Sequence, residues 1–131
     1  MLSEFTPVPT LAVRDLEKAR TSYEKLLGFT SVGDAPDGVM YRAGSSQFLV
    51  YPSAHAGSNK ATAASFQVPG GEFDAEVAAL RASGLEFRTF ELAGMSWDDG
   101  VAWLGDMRAV WFADPDGNIL NVETSMEPAS V

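Results

Sequence analysis

Apolar and polar positions recur with two different periods along this chain. Val8 to Val13 forms a short strand-like apolar run, and from Asp15 onward Leu16, Ala19, Tyr23, Leu26 and Leu27 fall at helical spacing. Asp15 is a favoured N-cap type, and Gly28 follows the last periodic residue, where a left-handed residue closes a helix. Strands are predicted near Phe29 to Val32, Val39 to Arg42 and Gln47 to Pro52. They are separated by the turn clusters Asp34-Ala35-Pro36-Asp37-Gly38 and Gly44-Ser45-Ser46. The predicted order is β, α, β, β, β.

The second half repeats that order. A strand is predicted at Ala63 to Val68, breakers at Pro69-Gly70-Gly71, and a helix whose face is Phe73, Val77, Leu80 and Arg81, with Gly84 standing where Gly28 stood. Strands near Leu85 to Phe90, Ala109 to Ala113 and Ile119 to Glu123 complete the copy, the last two joined by Asp114-Pro115-Asp116-Gly117-Asn118. Two copies of this size exceed a solenoid repeat and predict a duplicated α+β fold of two tandem βαβββ modules around a cavity. Residues 1–131 are read as one domain, with module 1 at about 5–53 and module 2 at about 61–125.

Strand alternation assigns faces. Leu11 and Val13 should pack under the helix, leaving Val8, Thr10 and Ala12 facing a cavity. The same parity turns Gln47, Leu49 and Tyr51, then Ala63, Ser65 and Gln67, then Ile119, Asn121 and Glu123 inward. Pro69-Gly70-Gly71 reads as a turn, and no glycine-rich phosphate cradle or nucleophile motif is visible.

Composition narrows the partners. With 18 acidic and 9 basic residues the formal charge is -9, which repels polyanions and argues against nucleic acid. There is no cysteine, so disulfides, thiolate metal sites and cysteine nucleophiles are excluded. Met1 to Thr10 lacks a basic, then apolar, leader pattern, and no run is long enough to span a bilayer, so a cytoplasmic location is expected.

The stretch Thr10-Leu11-Ala12-Val13-Arg14-Asp15-Leu16-Glu17-Lys18-Ala19 through Tyr23 and Leu27-Gly28-Phe29, with Phe112-Ala113-Asp114-Pro115-Asp116-Gly117-Asn118-Ile119-Leu120, resembles the vicinal oxygen chelate superfamily. That group includes glyoxalase I, extradiol dioxygenases, fosfomycin-resistance enzymes and bleomycin-binding proteins. The resemblance implies a homodimer, with or without domain swapping. It also implies a metal ligand on each of the first, fourth, fifth and eighth strands of metal-using members. Those positions fall here on Val8, on Leu49 or its neighbours Phe48 and Gln47, on Ala63 and on Asn121. Aliphatic groups and one amide do not furnish the donor set a divalent cation needs, so no metal and no other cofactor is expected.

Other candidates are sparse. His55 is the single histidine and lies in the polar loop Ser53 to Asn59, where a solvated role is the simpler reading. Asp98 and Asp99 are adjacent and suit a helix start better than a shared ligand. Glu123 is the weak candidate for an acid or base. The stretch Glu91 to Arg108 is long for a connection, and Ser96 before Asp98 and Asp99 suggests a capped helical turn or two through Leu104. Trp97, Trp103 and nearby Trp111 are all the tryptophans of the chain. They either fill space between modules and at a dimer contact, or form a lid offering a flat face to a planar ligand while Arg108 or Arg42 meets an anionic or carbonyl group. The candidate ligand-binding set is Thr10, Tyr51, Ser65, Gln67, Trp97, Trp103, Arg108, Trp111 and Asn121. It suits a moderately polar, ring-containing molecule. Two functions are weighed: metal-independent binding that sequesters an antibiotic or metabolite, and a glyoxalase-like isomerase, lyase or epimerase.

Overall fold

The computed structural model describes residues 1–4, 6 and 8–124. The chain is a mixed α+β fold with one sheet of four strands and one of five, in two compact units. Unit 1 holds Met1–Ala63 together with Asp114–Asn118, and unit 2 holds Ala64–Ala113 and the chain from Ile119 onward.

In unit 1, β1 (Thr10–Val13) leads to α1 (Leu16–Arg20), followed by β2 (Thr30–Ala35), β3 (Gly38–Ala43) and β4 (Ser46–Pro52). The sheet order is β1-β4-β3-β2, with β1 parallel to β4 and the other pairs antiparallel. Asp15 caps α1 as expected, its Oδ1 accepting from the backbone N–H groups of Glu17 and Lys18. The helix does not continue with α geometry through Leu27. Thr21–Leu26 widens into a π-helical turn, in which the Leu27 N–H donates to the Ser22 carbonyl. Gly28 then takes φ +78°, the left-handed value expected where the helix ends.

Alternation sorts the sheet of unit 1 as the sequence predicts. Leu11, Val13, Val39, Tyr41, Phe48 and Val50 are buried on the α1 side with Ala19 and Tyr23. Register pairs Thr10 with Leu49 and Ala12 with Tyr51, placing these residues on the opposite face. The Tyr23 hydroxyl donates to Asp114 Oδ2 at 3.0 Å. Asp114 also accepts from the backbone N–H groups of Asp116 and Asn118, while Asn118 Nδ2 donates to Asp114 Oδ2 and to the Ala12 carbonyl. The turn predicted at Asp114–Asn118 is therefore a hydrogen-bonded knot whose carboxylate and amide are buried and satisfied.

In unit 2, β5 (Thr62–Val68), which begins at the boundary, leads to α2 (Phe73–Ala82), β6 (Ser96–Asp98), β7 (Val101–Leu104), β8 (Met107–Ala113) and β9 (Ile119–Thr124). The order is β5-β9-β8-β7-β6. Phe73, Val77, Val110, Phe112, Leu120 and Val122 form its buried side.

Two expectations for this half are corrected. Residues 85–90 do not form a strand, since a single antiparallel bridge joins Arg88 to Trp111. The stretch from Ser96 to Leu104 is not helical either, because it folds as the hairpin β6–β7. The reason is the Asp99-Gly100 pair, at φ 50° and 79°, which supplies the two left-handed residues of a tight hairpin turn. Asp98 thus closes a strand and Asp99 occupies a turn. Alternation from Trp97 to Leu104 then outweighs the capping signal at Ser96.

Candidate functional site

The face of unit 2 turned away from α2 carries an apolar trough of about 160 Å³, lined by Met95, Ala102, Leu104, Met107, Ala109, Trp111, Asn121 and Glu123. Strand pairing builds it. Ala102 lies opposite Ala109, Ala109 opposite Glu123, and Trp111 opposite Asn121, so three adjacent strands present the same face. The small side chains at Ala102 and Ala109 leave the hollow, and Leu104, Met107 and Met95 supply flexible apolar walls.

An aromatic cluster continues this face. Phe90 meets Trp111 edge-on at 4.8 Å between ring centres and meets Trp97 edge-on at 5.3 Å. Trp97 lies 6.0 Å from Trp111 and pairs in register with Ala102. The hairpin that carries Trp97 is tied to α2 by Arg81, whose Nη1 donates to Asp99 Oδ2 at 2.7 Å and whose Nη2 donates to the Asp99 carbonyl. The same guanidinium lies over the Phe87 ring at 5.2 Å.

Of the residues singled out from sequence, Trp111, Asn121 and Glu123 line the trough, and Trp97 packs beside Trp111. Trp103 and Arg108 do not join them. Both sit on the α2 side, where the Arg108 guanidinium lies over the rings of Phe73 at 4.8 Å and Trp103 at 5.3 Å. Arg108 donates to Asp74 Oδ1 at 2.6 Å and to the Gly70 carbonyl, so its charge is spent on the fold. Ser65 and Gln67 are exposed on β5 and do not line the trough. In unit 1, Thr10 is exposed at the start of β1, Tyr51 is half-buried on β4, and Arg42 is exposed on β3. His55 is exposed in its loop, its backbone N–H donating to Ser53 Oγ.

Met95, Leu104 and Met107 escaped the sequence reading. Their signal is the alternation Ala102, Leu104 and then Met107, Ala109, Trp111, masked by the helix-start pattern at Ser96, Asp98 and Asp99.

The two most perturbed phenols lie outside the trough, in unit 1. Burial drives the Tyr23 hydroxyl far above the ordinary tyrosine range, and the neighbouring Asp114 carboxylate adds to it. Tyr41 is shifted the same way, first by burial and then by its hydrogen bond to Glu24 Oε2 at 2.9 Å. Both stay protonated and serve as donors to carboxylates, so neither is poised for proton transfer near neutrality.

The chain matches the sequence profile of the Glyoxalase/Bleomycin resistance protein/Dioxygenase superfamily over residues 6–122. No curated protein matches it. Among solved structures it is similar to the fosfomycin resistance protein FosX from Mesorhizobium loti, at 17% identity and TM-score 0.66 over 94% of this chain and 93% of that one. It is also similar to a lactoylglutathione lyase from Agrobacterium tumefaciens, at 17% identity and TM-score 0.68 over 92% and 93%. FosX from Listeria monocytogenes complexed with Mn(II) and sulfate aligns at 14% identity and TM-score 0.64, covering 93% of each chain.

A divalent cation, as in that last relative, does not fit the side chains present here. Of the positions where metal-using members carry ligands, Val8, Leu49 and Ala63 offer hydrocarbon, and the single amide oxygen of Asn121 falls short of the donor set such a cation needs. Among the described residues no three His, Cys, Asp or Glu side chains gather as a ligand set.

Proposed function

The chain belongs to the glyoxalase/bleomycin resistance protein/dioxygenase superfamily, and from that premise we propose that it binds a small organic molecule without a resident metal. The observation that carries this reading is the trough of unit 2, where apolar and aromatic walls surround two polar side chains, Asn121 and Glu123. Such a mixture orients a ligand through a few polar contacts and holds it through apolar area. Sequestration of an antibiotic or metabolite, by a homodimer in the cytoplasm, is the role we assign to it.

A metal-uptake measurement tests the metal-free part. Protein dialysed against zinc, nickel, manganese or iron(II) and then against buffer is expected to retain far less than one equivalent. One equivalent surviving dialysis would overturn the reading.

A second reading is favoured by Glu123 alone, a carboxylate standing in the trough. There it would act as general base for a glyoxalase-like isomerase, lyase or epimerase. Glu123→Gln and Asn121→Ala separate the two. A binding protein changes affinity only, whereas an enzyme loses turnover while still binding its substrate.

A further inference from the structure

Among the described side chains that line the trough, Asn121 and Glu123 carry acceptor oxygens, and the Trp111 indole N–H is a neutral donor. Asn121 is 3% exposed, its Nδ2 is engaged by the Val110 carbonyl, and no described residue donates to its Oδ1. Glu123 contributes a carboxylate and forms no ion pair among the described residues. No Lys or Arg lines the trough, and Arg108, on the same strand as Met107 and Ala109, points its charge to the other side of the sheet.

A pocket that offers acceptors and one negative charge selects its ligand by sign. An anionic group placed there meets the Glu123 carboxylate and finds no charged donor among the described lining residues, whereas a protonated nitrogen can donate to both acceptors. The Trp111 ring in the lining favours the same choice, because an aromatic face attracts a cation and stacks with a flat ring. A hollow of about 160 Å³ is close to the roughly 150 Å³ that accommodates one benzene ring, so a small ring system with a short arm is the right size. The net charge of -9 raises the local concentration of such cations.

We propose that the ligand of this trough is a flat aromatic molecule bearing a protonated amine or amidine, with Glu123 as its counter-ion and Asn121 Oδ1 as a second acceptor. The proposal rests on the reading of the trough as a small-molecule site and adds the charge of what it takes. It also implies that an anionic antibiotic such as fosfomycin, to which the similar FosX proteins confer resistance, is a poor ligand for this chain.

Equilibrium dialysis of the full chain with three one-ring probes tests this: benzylamine, benzyl alcohol and benzoic acid. The amine is expected to bind about tenfold more tightly than the alcohol, with the carboxylic acid weakest. Glu123→Gln should erase the amine's advantage and leave the alcohol within about twofold. Glu76→Gln on exposed α2 removes the same charge from elsewhere and should change none of the three. Trp111→Ala, and Met107→Ala should the first fail to fold, should weaken all three.

If amine and alcohol bind alike, or if Glu123→Gln and Glu76→Gln act alike, the assignment of charge is wrong while the site itself stands. If no probe binds, or if binding ignores both Trp111→Ala and Met107→Ala, the trough is not a small-molecule site and both readings fall.

Discussion

The two units follow related chain paths but form their clusters of touching aromatic rings on different sides of their sheets. In unit 1, Tyr23, Phe29, Tyr41 and Phe48 cluster on the helix side with ring centres 5.0 to 6.3 Å apart. In unit 2 the helix side carries Phe73, Phe112 and Trp103 among aliphatic residues, and Phe90, Trp97 and Trp111 cluster on the other side. Rings buried against a helix stabilise a fold by removing area from water. Rings on the far face, with Phe90 at 42% exposure, do less for stability and leave apolar surface available to a ligand. Unit 1 thus buries most of its aromatic cluster, while unit 2 leaves its cluster partly open beside the trough proposed above as a ligand site.

Truncating one ring on each side should expose this division most strongly. Phe48→Ala, at a site 2% exposed, is expected to cost about 3–5 kcal/mol in urea unfolding. Trp111→Ala is half-buried and should cost roughly half that or less while removing probe binding. Equal stability losses would break the contrast.

Tyr23→Phe comes next. It deletes one donor to buried Asp114, which keeps Asn118 and two backbone partners, so a cost of about 1–3 kcal/mol is expected. It should also change the response to alkali. Because the Tyr23 phenol is held above its ordinary value of 10.0, the folded chain binds more protons than the unfolded one at high pH. Stability is therefore whole below about pH 10 and falls as pH rises beyond it. Urea unfolding between pH 8 and 11 should show a shallower decline in the variant, the remainder coming from Tyr41.

Smaller effects are expected at the hairpin. Gly100→Ala forces a side chain into φ 79° and should cost about 1–2 kcal/mol, whereas a helical segment would gain stability from the same change. Arg81→Met removes an exposed pair to Asp99 and should cost no more than about 1 kcal/mol. Its sharper readout is a change in Trp97 emission, since the hairpin that carries this ring loses its tie to α2.

Most of unit 1 was legible because its periods are clean. Asp15 capped where it should, Gly28 turned left-handed, and the parity of Leu11 and Val13 against Thr10 and Ala12 held through β4. Residues 91–108 were harder, since Ser96 with two aspartates mimics a helix start and only the Asp99-Gly100 pair betrays the hairpin. Within the trough lining, Asn121 and Glu123 follow from strand parity, whereas Trp111 stands out only as one of three tryptophans close in sequence. Arg108 could not be placed, because whether a guanidinium faces ligand or fold depends on partners, here Asp74 and Gly70, that lie more than thirty residues away. The widened turn at Thr21–Leu26 had no sequence signal that we can name.

The knot at Asp114–Asn118 also bears on how such a protein can arise and be taken apart. A fragment ending at Ala63 would keep the first four strands and their helix, yet its Tyr23 phenol would lack an acceptor and its Ala12 carbonyl a donor. The repeat therefore cannot be divided cleanly at its midpoint, because five residues much further along the chain complete the hydrogen bonding of the first unit.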